Sequence, residues 1–169
     1  MADPEKQNPP EPAPAQTQSA GGITLNVSYV KSPRGIIKIV EIFLLMIAFS
    51  CLADICVNCT GRYSFFLFST IFPWILCIII FVLYLFCLVE KIPQINWTLT
   101  VMINAILWAL VILTSSSLVA DDIRKRKEYS RGYYVVFIPD NLYAAVVFGF
   151  LSVVAFVVDA IFHFQHYRS

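Results

Sequence analysis

Long uninterrupted apolar blocks dominate the pattern of this chain. Residues 63–89 contain no Asp, Glu, Lys, Arg or His over 27 positions, and residues 92–120 contain none over 29 positions. Because about 20 helical residues cross a hydrocarbon core of about 30 Å, each block is long enough to span a bilayer once and too short to span it twice. The pattern therefore predicts one transmembrane helix in each block.

Two further blocks reach spanning length although they contain charged residues. Residues 36–57 include Lys38 and Glu41, and residues 142–164 include Asp159. A helix satisfies all its backbone hydrogen bonds internally where no water is available, so we predict that both blocks are also membrane-spanning helices.

The four blocks together predict an all-α membrane protein, a four-transmembrane-helix antiparallel bundle over residues 36–164, because short connections place consecutive helices side by side. The predicted spans are about 36–57, 63–89, 95–120 and 142–164. The connections are about 58–62 and 90–93, with a longer one at 121–141, and residues 165–169 form a short C-terminal tail.

The first 35 residues have a different composition, with five prolines among the first 14. Such a segment buries too little apolar surface to offset its ordering entropy, so residues 1–35 are predicted to be a disordered tail. It is not a signal peptide, because no basic region is followed directly by an apolar stretch. The alternation at residues 23–29 is compatible with a strand or with a stretch that lies on the lipid headgroups.

Overall composition excludes two classes of protein. Apolar residues make up 59% of the chain and charged residues only 14%, which is not the composition of a soluble globular domain. The formal net charge is +1, far from the basic excess that nucleic-acid binding requires. The lipid bilayer is therefore the predicted surroundings, and no nucleic acid is a predicted partner.

The basic residues do not fix the orientation by themselves, because their numbers on the two predicted sides are equal. An N-terminal tail without a cleavable signal is more easily left in the cytoplasm than carried across the membrane. We therefore predict that both termini are cytoplasmic.

One run of residues resembles a known family. The sequence KIPQINW at residues 91–97, with Asn104 behind it, resembles the start of the third span in MARVEL-type tetraspans, and residues 38–51 and 144–159 look like their first and fourth spans. Within that group the chain is most similar to the chemokine-like-factor MARVEL transmembrane proteins, above all the fourth and sixth members. It departs from them at Val101, where an acidic residue is expected, and in its longer third connection.

This resemblance implies four helices with cytoplasmic termini, no catalytic activity and no cofactor. It also implies residence in the plasma membrane and endosomal vesicles, with a role in the trafficking or stability of other membrane proteins. The residues themselves offer little for catalysis. His163 and His166 are three positions apart, but a third ligand is missing for a metal site.

The charged residues inside the spans are the most informative polar groups, because a charge in hydrocarbon is costly unless it is paired, protonated or able to reach the interface. Lys38 and Glu41 lie on one helix face, and Asp159 lies at similar depth on the last span. We predict a polar cluster of Lys38, Glu41 and Asp159, reached by Asn104 if the third helix tilts. The alternative is that each carboxylate reaches the interface separately or is protonated.

Small residues at helical spacing mark a packing face on the fourth span. Ala145, Gly149 and Ser152 would let another helix backbone come close, either from the same chain or from a partner.

The cysteines allow two modifications. Cys56 and Cys59, at the outer end of the first span, can form a disulfide or remain free thiols. Cys87 lies near the cytoplasmic end of the second span, where S-palmitoylation is chemically reasonable and core packing is the alternative.

Three function hypotheses follow. The first is a tetraspan that binds other integral membrane proteins laterally and governs their trafficking, recycling or stability, with or without homo-oligomers. The second is a structural protein of membrane apposition, at cell junctions or in cell or vesicle fusion. The third is a channel or transporter that would need an oligomer, since one four-helix chain is small for a polar path.

Overall fold

The structure, a computed structural model, describes residues 18–20, 23–56, 61–91, 96–130 and 138–168. Four long helices account for most of them: α2 Pro33–Ala53, α3 Arg62–Leu85, α4 Trp97–Ser130 and α5 Asp140–Arg168. Each is long and apolar enough to cross a membrane. The predicted all-helical, four-span fold is confirmed.

Smaller elements precede and join the long helices. Strands β1 Gln18–Ala20 and β2 Ile23–Leu25 form an antiparallel pair in which Ser19 is opposite Thr24. A short helix, α1 Val27–Lys31, leads into α2, and a 3-10 turn, Leu88–Lys91, follows α3.

Contacts between the helix ends define the two ends of the bundle. At the end where α2 begins and α5 ends, here called the terminal end, the ring of Tyr29 on α1 stacks on Tyr84 near the end of α3 with centroids 4.9 Å apart. At the opposite end, here called the loop end, Asn141 Nδ2 donates a 2.8 Å hydrogen bond to Asp54 Oδ2. Helix α5 packs against α2 and α4, while α3 packs against α2 and α4.

Two apolar clusters fill the interior. The cluster nearer the terminal end contains Leu45, Cys77, Ala105, Trp108, Ala109, Ile112, Phe156 and Ala160. The cluster nearer the loop end contains Ala48, Leu52, Phe66, Val119, Ile123, Leu142, Ala145 and Val146. Large apolar side chains also cover the outside, as expected for helices in contact with lipid.

The helix bounds differ from the predicted spans most clearly at α4, which continues ten residues beyond Ala120. Residues 121–130, predicted as part of a connection, are therefore helical. Asp121 Oδ2 lies 2.8 Å from Lys125 Nζ and Asp122 Oδ2 lies 2.8 Å from Arg126 Nε, and such ion pairs four residues apart support a helix in water. Residues 165–168, predicted as a tail, continue α5.

The N-terminal prediction also differs from the structure, because residues 18–20 and 23–35 form defined elements within the segment 1–35. Asn26 N donates a 2.8 Å hydrogen bond to Leu85 O at the end of α3, and Asn26 Oδ1 accepts one from Tyr29 N. A composition averaged over 35 residues conceals this short apolar stretch. The proline-rich residues 1–17 lie outside the described residues.

Ser32 joins α1 to α2. Its Oγ accepts a 3.1 Å hydrogen bond from Gly35 N, which caps α2, and donates one of 2.6 Å to Tyr29 O. Replacing Ser32 with Ala removes the cap, so we expect the free energy of unfolding to fall by about 1 kcal/mol. Denaturant titration in micelles would measure this. Ser117→Ala is the matched control, because the exposed Ser117 hydroxyl only bonds back to its own helix at Leu113 O, and an equal loss in both variants would contradict the capping role.

Candidate functional site

A buried ionic cluster joins α2 to α5. Lys38 Nζ lies 2.8 Å from Glu41 Oε2, three residues along the same helix, and 2.9 Å from Asp159 Oδ2 on α5. All three side chains are completely buried. Antiparallel packing places the start of α2 beside the last turns of α5, so residues far apart in sequence meet at one depth.

Two more polar side chains complete this group, which we call the ionic cluster: Lys38, Glu41, Cys77, Asp159 and His163. Cys77 Sγ on α3 donates a 3.4 Å hydrogen bond to Glu41 Oε2. His163 Nε2 lies 3.6 Å from Asp159 Oδ1, one helical turn earlier on α5, and its side chain is 1% exposed. The cluster therefore draws on three of the four long helices.

Asn104 is placed elsewhere. Its Oδ1 accepts a 3.1 Å hydrogen bond from Trp108 Nε1 on its own helix, and no hydrogen bond joins it to Lys38, Glu41 or Asp159 within the part of the chain that the structure describes. The predicted contribution of Asn104 required a tilt of α4 toward the cluster. Instead, α4 presents small apolar residues such as Ala105 to the core.

The energetics of such a cluster favour specificity over net stability. Removing charges from water costs several kcal/mol for each ion, and mutual attraction repays this only with close contacts. Once formed, the contacts fix which faces of α2 and α5 meet, because any other register leaves a charge unpaired in hydrocarbon. The arrangement can hold two helices in register.

The small-residue face of α5 is filled from within the chain. Ala145, Gly149 and Ser152 are all buried. A Cβ atom added at Gly149 would lie 2.4 Å from Ser116 Oγ on α4 and 3.1 Å from Phe66 Cε2 on α3. Of the two alternatives that the sequence left open, the structure places neighbours from the same chain against this face.

The cysteines differ in state. Cys51, Cys77 and Cys87 are free thiols, and Cys56 is disulfide-bonded. Cys59 lies outside the described residues, so its pairing with Cys56 stays a prediction. Cys87 is half-buried just after the end of α3, and its backbone φ of 52° lies in the left-handed region.

A second charged group lies at the loop end, where the sequence predicted a connection between the third and fourth spans. Arg62 Nη1 lies 3.3 Å from Asp121 Oδ2, and the hydroxyl of Tyr63 donates a hydrogen bond to Asp122. Arg126 contacts the same carboxylate. These groups tie the start of α3 to the extension of α4, although exposed pairs of this kind contribute little stability individually.

An apolar groove runs along the outer surface between α4 and α5. It has a volume of about 480 Å³, and its lining is Met102, Ile106, Ala109, Leu110, Val157, Ala160, Ile161 and Phe164. A second groove of about 390 Å³ lies on the other side of Ile106 and Leu110, which line both. No sequence pattern identified these grooves. The first depends on how α4 and α5 cross, and the second is lined by side chains of α4 alone.

Comparisons with known proteins agree with this architecture. The sequence profile of the MARVEL family, described as a membrane-associating domain, matches residues 29–162. Bovine plasmolipin is 27% identical over 98% of this chain and 90% of its own length, and mouse plasmolipin is 26% identical over 94% and 84%. MARVEL domain-containing protein 1 of Xenopus laevis is 23% identical over 91% and 88%. No solved structure gave a significant match.

The profile covers all four long helices, from α1 almost to the end of α5. This chain belongs to the MARVEL family of multi-pass membrane proteins.

Proposed function

We propose that this chain is a non-enzymatic membrane protein that binds other integral membrane proteins laterally and regulates their trafficking, recycling or stability. The observation that carries the proposal is the apolar groove between α4 and α5. Its occupant would be one apolar transmembrane helix of a partner protein.

The shape of the groove suits a helix. Ala109 and Ala160 in its lining are only 6% and 9% exposed. Their side chains are small, so the backbone of a partner helix can approach closely. Leu110, Val157 and Ile161 stand at the surface, with exposed fractions of 61%, 46% and 48%. Since lipid tails are as apolar as these side chains, association in a bilayer depends on such packing and not on a hydrophobic driving force.

The ionic cluster supports this proposal indirectly. It directly neighbours the groove lining along α5, since Asp159 is followed by Ala160 and His163 by Phe164. By fixing how α2 meets α5, it holds one wall of the groove in place before a partner arrives. A wall that needs no ordering on binding lowers the entropic cost of association.

Subgroup and location belong to the same proposal. The run at residues 91–97 supports membership of the chemokine-like-factor group near its fourth and sixth members. We propose the plasma membrane and endosomes as the compartments, with both termini cytoplasmic, palmitoylation at Cys87 and a disulfide between Cys56 and Cys59. The position of α2's start and α5's end at one end of the bundle agrees with termini on a single side.

Filling the groove tests lateral binding directly. Val157→Trp adds a large ring at the groove lining, and we expect enrichment of neighbouring membrane proteins in proximity labelling to fall about tenfold, equivalent to ~1.4 kcal/mol. The matched control is Val154→Trp, which adds the same ring on α5 at a 60% exposed position outside both groove linings. Equal neighbour sets for the two variants and the wild type would contradict the groove as the binding surface.

The same labelling experiment, with the enzyme fused at the N-terminus, tests the compartment. Cytoplasmic proteins together with endosomal cargo support the proposal. Junction or fusion proteins as the dominant neighbours would replace it with a role in membrane apposition, and a second copy of this chain as the dominant neighbour would make the groove a site of self-association. Lumenal neighbours would reverse the proposed orientation.

A further inference from the structure

The formal charges of the ionic cluster do not balance. Lys38 is one cation, and its ammonium contacts both Glu41 and Asp159 at ion-pair distance. With His163 neutral and both carboxylates ionised, one positive and two negative charges leave a net charge of −1. All four side chains are at most 1% exposed, so water does not solvate the excess.

Several buried oxygens of the two carboxylates accept no hydrogen bond. Glu41 Oε2 accepts from both Lys38 and Cys77, but Glu41 Oε1 has no partner among the described residues. Asp159 Oδ1 also has none, and it is the orphaned oxygen that faces a basic nitrogen, His163 Nε2, at 3.6 Å. Neither ring nitrogen of His163 has a hydrogen-bond partner among the described residues. The imidazole and the carboxylate are buried side by side, and neither has all its hydrogen bonds. One proton between them would give each group a hydrogen-bond partner.

Among the described residues, two further basic side chains act electrostatically on His163. They are Arg34 on α2, which is partly exposed, and His166 on α5, which is exposed, so neither belongs to the buried group. Cys77 and Tyr84 face the cluster from α3, and Tyr29 from α1. Between Trp97 and Ala120, α4 contains no ionisable residue.

We propose that the His163–Asp159 pair is a proton-binding site that holds one proton within the bilayer at neutral pH, so that Lys38, Glu41, Asp159 and His163 together carry no net charge. The proton comes from water as the helices pack, and it resides on the imidazole, which makes His163 the second cation of the cluster. An uncompensated charge in hydrocarbon costs far more than holding this proton.

A proton bound in the folded state and released on unfolding makes stability depend on pH with a definite sign. Free histidine loses its proton at about pH 6.5. Above that value the unfolded chain has lost the proton that the folded chain retains, so the unfolding equilibrium constant rises about tenfold per pH unit until the folded state also releases it. Below pH 6.5 the folded and unfolded chains both hold the proton, so the pair contributes its full stabilisation to the folded state.

Unfolding of the full chain in lipid-like micelles, followed between pH 6 and pH 9, tests the charge balance. The wild type is expected to lose stability as pH rises. His163→Gln with Asp159→Asn leaves the neutral Lys38–Glu41 pair, which needs no proton, so the double variant is expected to show little of this dependence. His163→Gln alone must place the proton on a carboxyl group, and we expect it to be the least stable of the three at pH 8.

His166→Gln provides the control and a second measurement that does not depend on unfolding. His166 is exposed, so this variant should keep the pH dependence of the wild type. The chain has two histidines, so His163 alone remains in this background, and its ring nitrogens can be followed by NMR after ¹⁵N labelling of histidine. An imidazolium signal at pH 8 is expected. A ring that is already neutral at pH 7, or a wild type whose stability is as insensitive to pH as the double variant, would overturn the proposal.

Discussion

Replacing Lys38 with Met is expected to lower the free energy of unfolding by about 3–5 kcal/mol, because removal of one partner leaves buried charge uncompensated. The ammonium contacts Glu41 at 2.8 Å and Asp159 at 2.9 Å, so a single substitution leaves two carboxylates facing each other across α2 and α5. Met fills a similar volume, so lost packing adds little. Unfolding by denaturing detergent, followed by circular dichroism, would measure the loss.

Two variants separate this charge effect from lost packing. Lys31→Met removes an exposed cation on α1, and we expect a change of less than about 0.5 kcal/mol. Adding Glu41→Gln and Asp159→Asn to Lys38→Met removes the carboxylates as well, and such neutral replacements of a buried ionic group are often tolerated. A triple variant no more stable than Lys38→Met would show that the charges do not determine the loss.

Gly149→Val is expected to have the second largest effect, a loss of about 3 kcal/mol, at the upper end for an overpacked core. The Cβ atom alone would lie 2.4 Å from Ser116 Oγ and 3.1 Å from Phe66 Cε2, and valine adds two methyl groups beyond it. Helices α4 and α5 would have to separate or Phe66 would have to move. The midpoint of detergent-induced unfolding measures this loss.

The contact with Ser116 gives a specific test of this prediction. Ser116→Gly in the Gly149→Val background removes the nearest atom, so part of the lost stability should return. Val147→Ile adds a methyl group to α5 on its 55% exposed, lipid-facing side and should change stability by less than about 0.5 kcal/mol. If the Ser116 substitution restores nothing, the two helices do not approach each other as closely as described.

The four spans could be predicted because length and charge content are sufficient to recognise a membrane helix. The helical period also places Lys38 beside Glu41, and antiparallel topology places Asp159 at a similar depth. The same period could have identified His163, which is one turn after Asp159, and Cys77 lies at the corresponding depth of α3. The sequence pattern drew attention to His163 only as a neighbour of His166, and its place on the same helix face as Asp159 was not used.

Other features depend on geometry that a single sequence does not contain. Asn104 was placed in the cluster on the assumption of a helix tilt, and its actual partner, Trp108, lies on its own helix. The larger groove beside Leu110 arises from the crossing of α4 and α5, whereas the second is lined by side chains of α4 alone. The extension of α4 past Ala120 could have been predicted in part from the sequence. Acidic residues there precede basic residues at four-residue spacing, and this pattern favours a helix even in water.

That extension sets a fixed distance between the membrane and whatever follows it. Ten residues of helix rise about 15 Å beyond the last residue of the apolar block. The Debye length in physiological salt is about 8 Å, so the influence of the bilayer's surface charge weakens along the extension and is smallest at its tip. The extension is therefore a helical spacer whose sensitivity to the lipid headgroups falls from Asp121 toward Ser130.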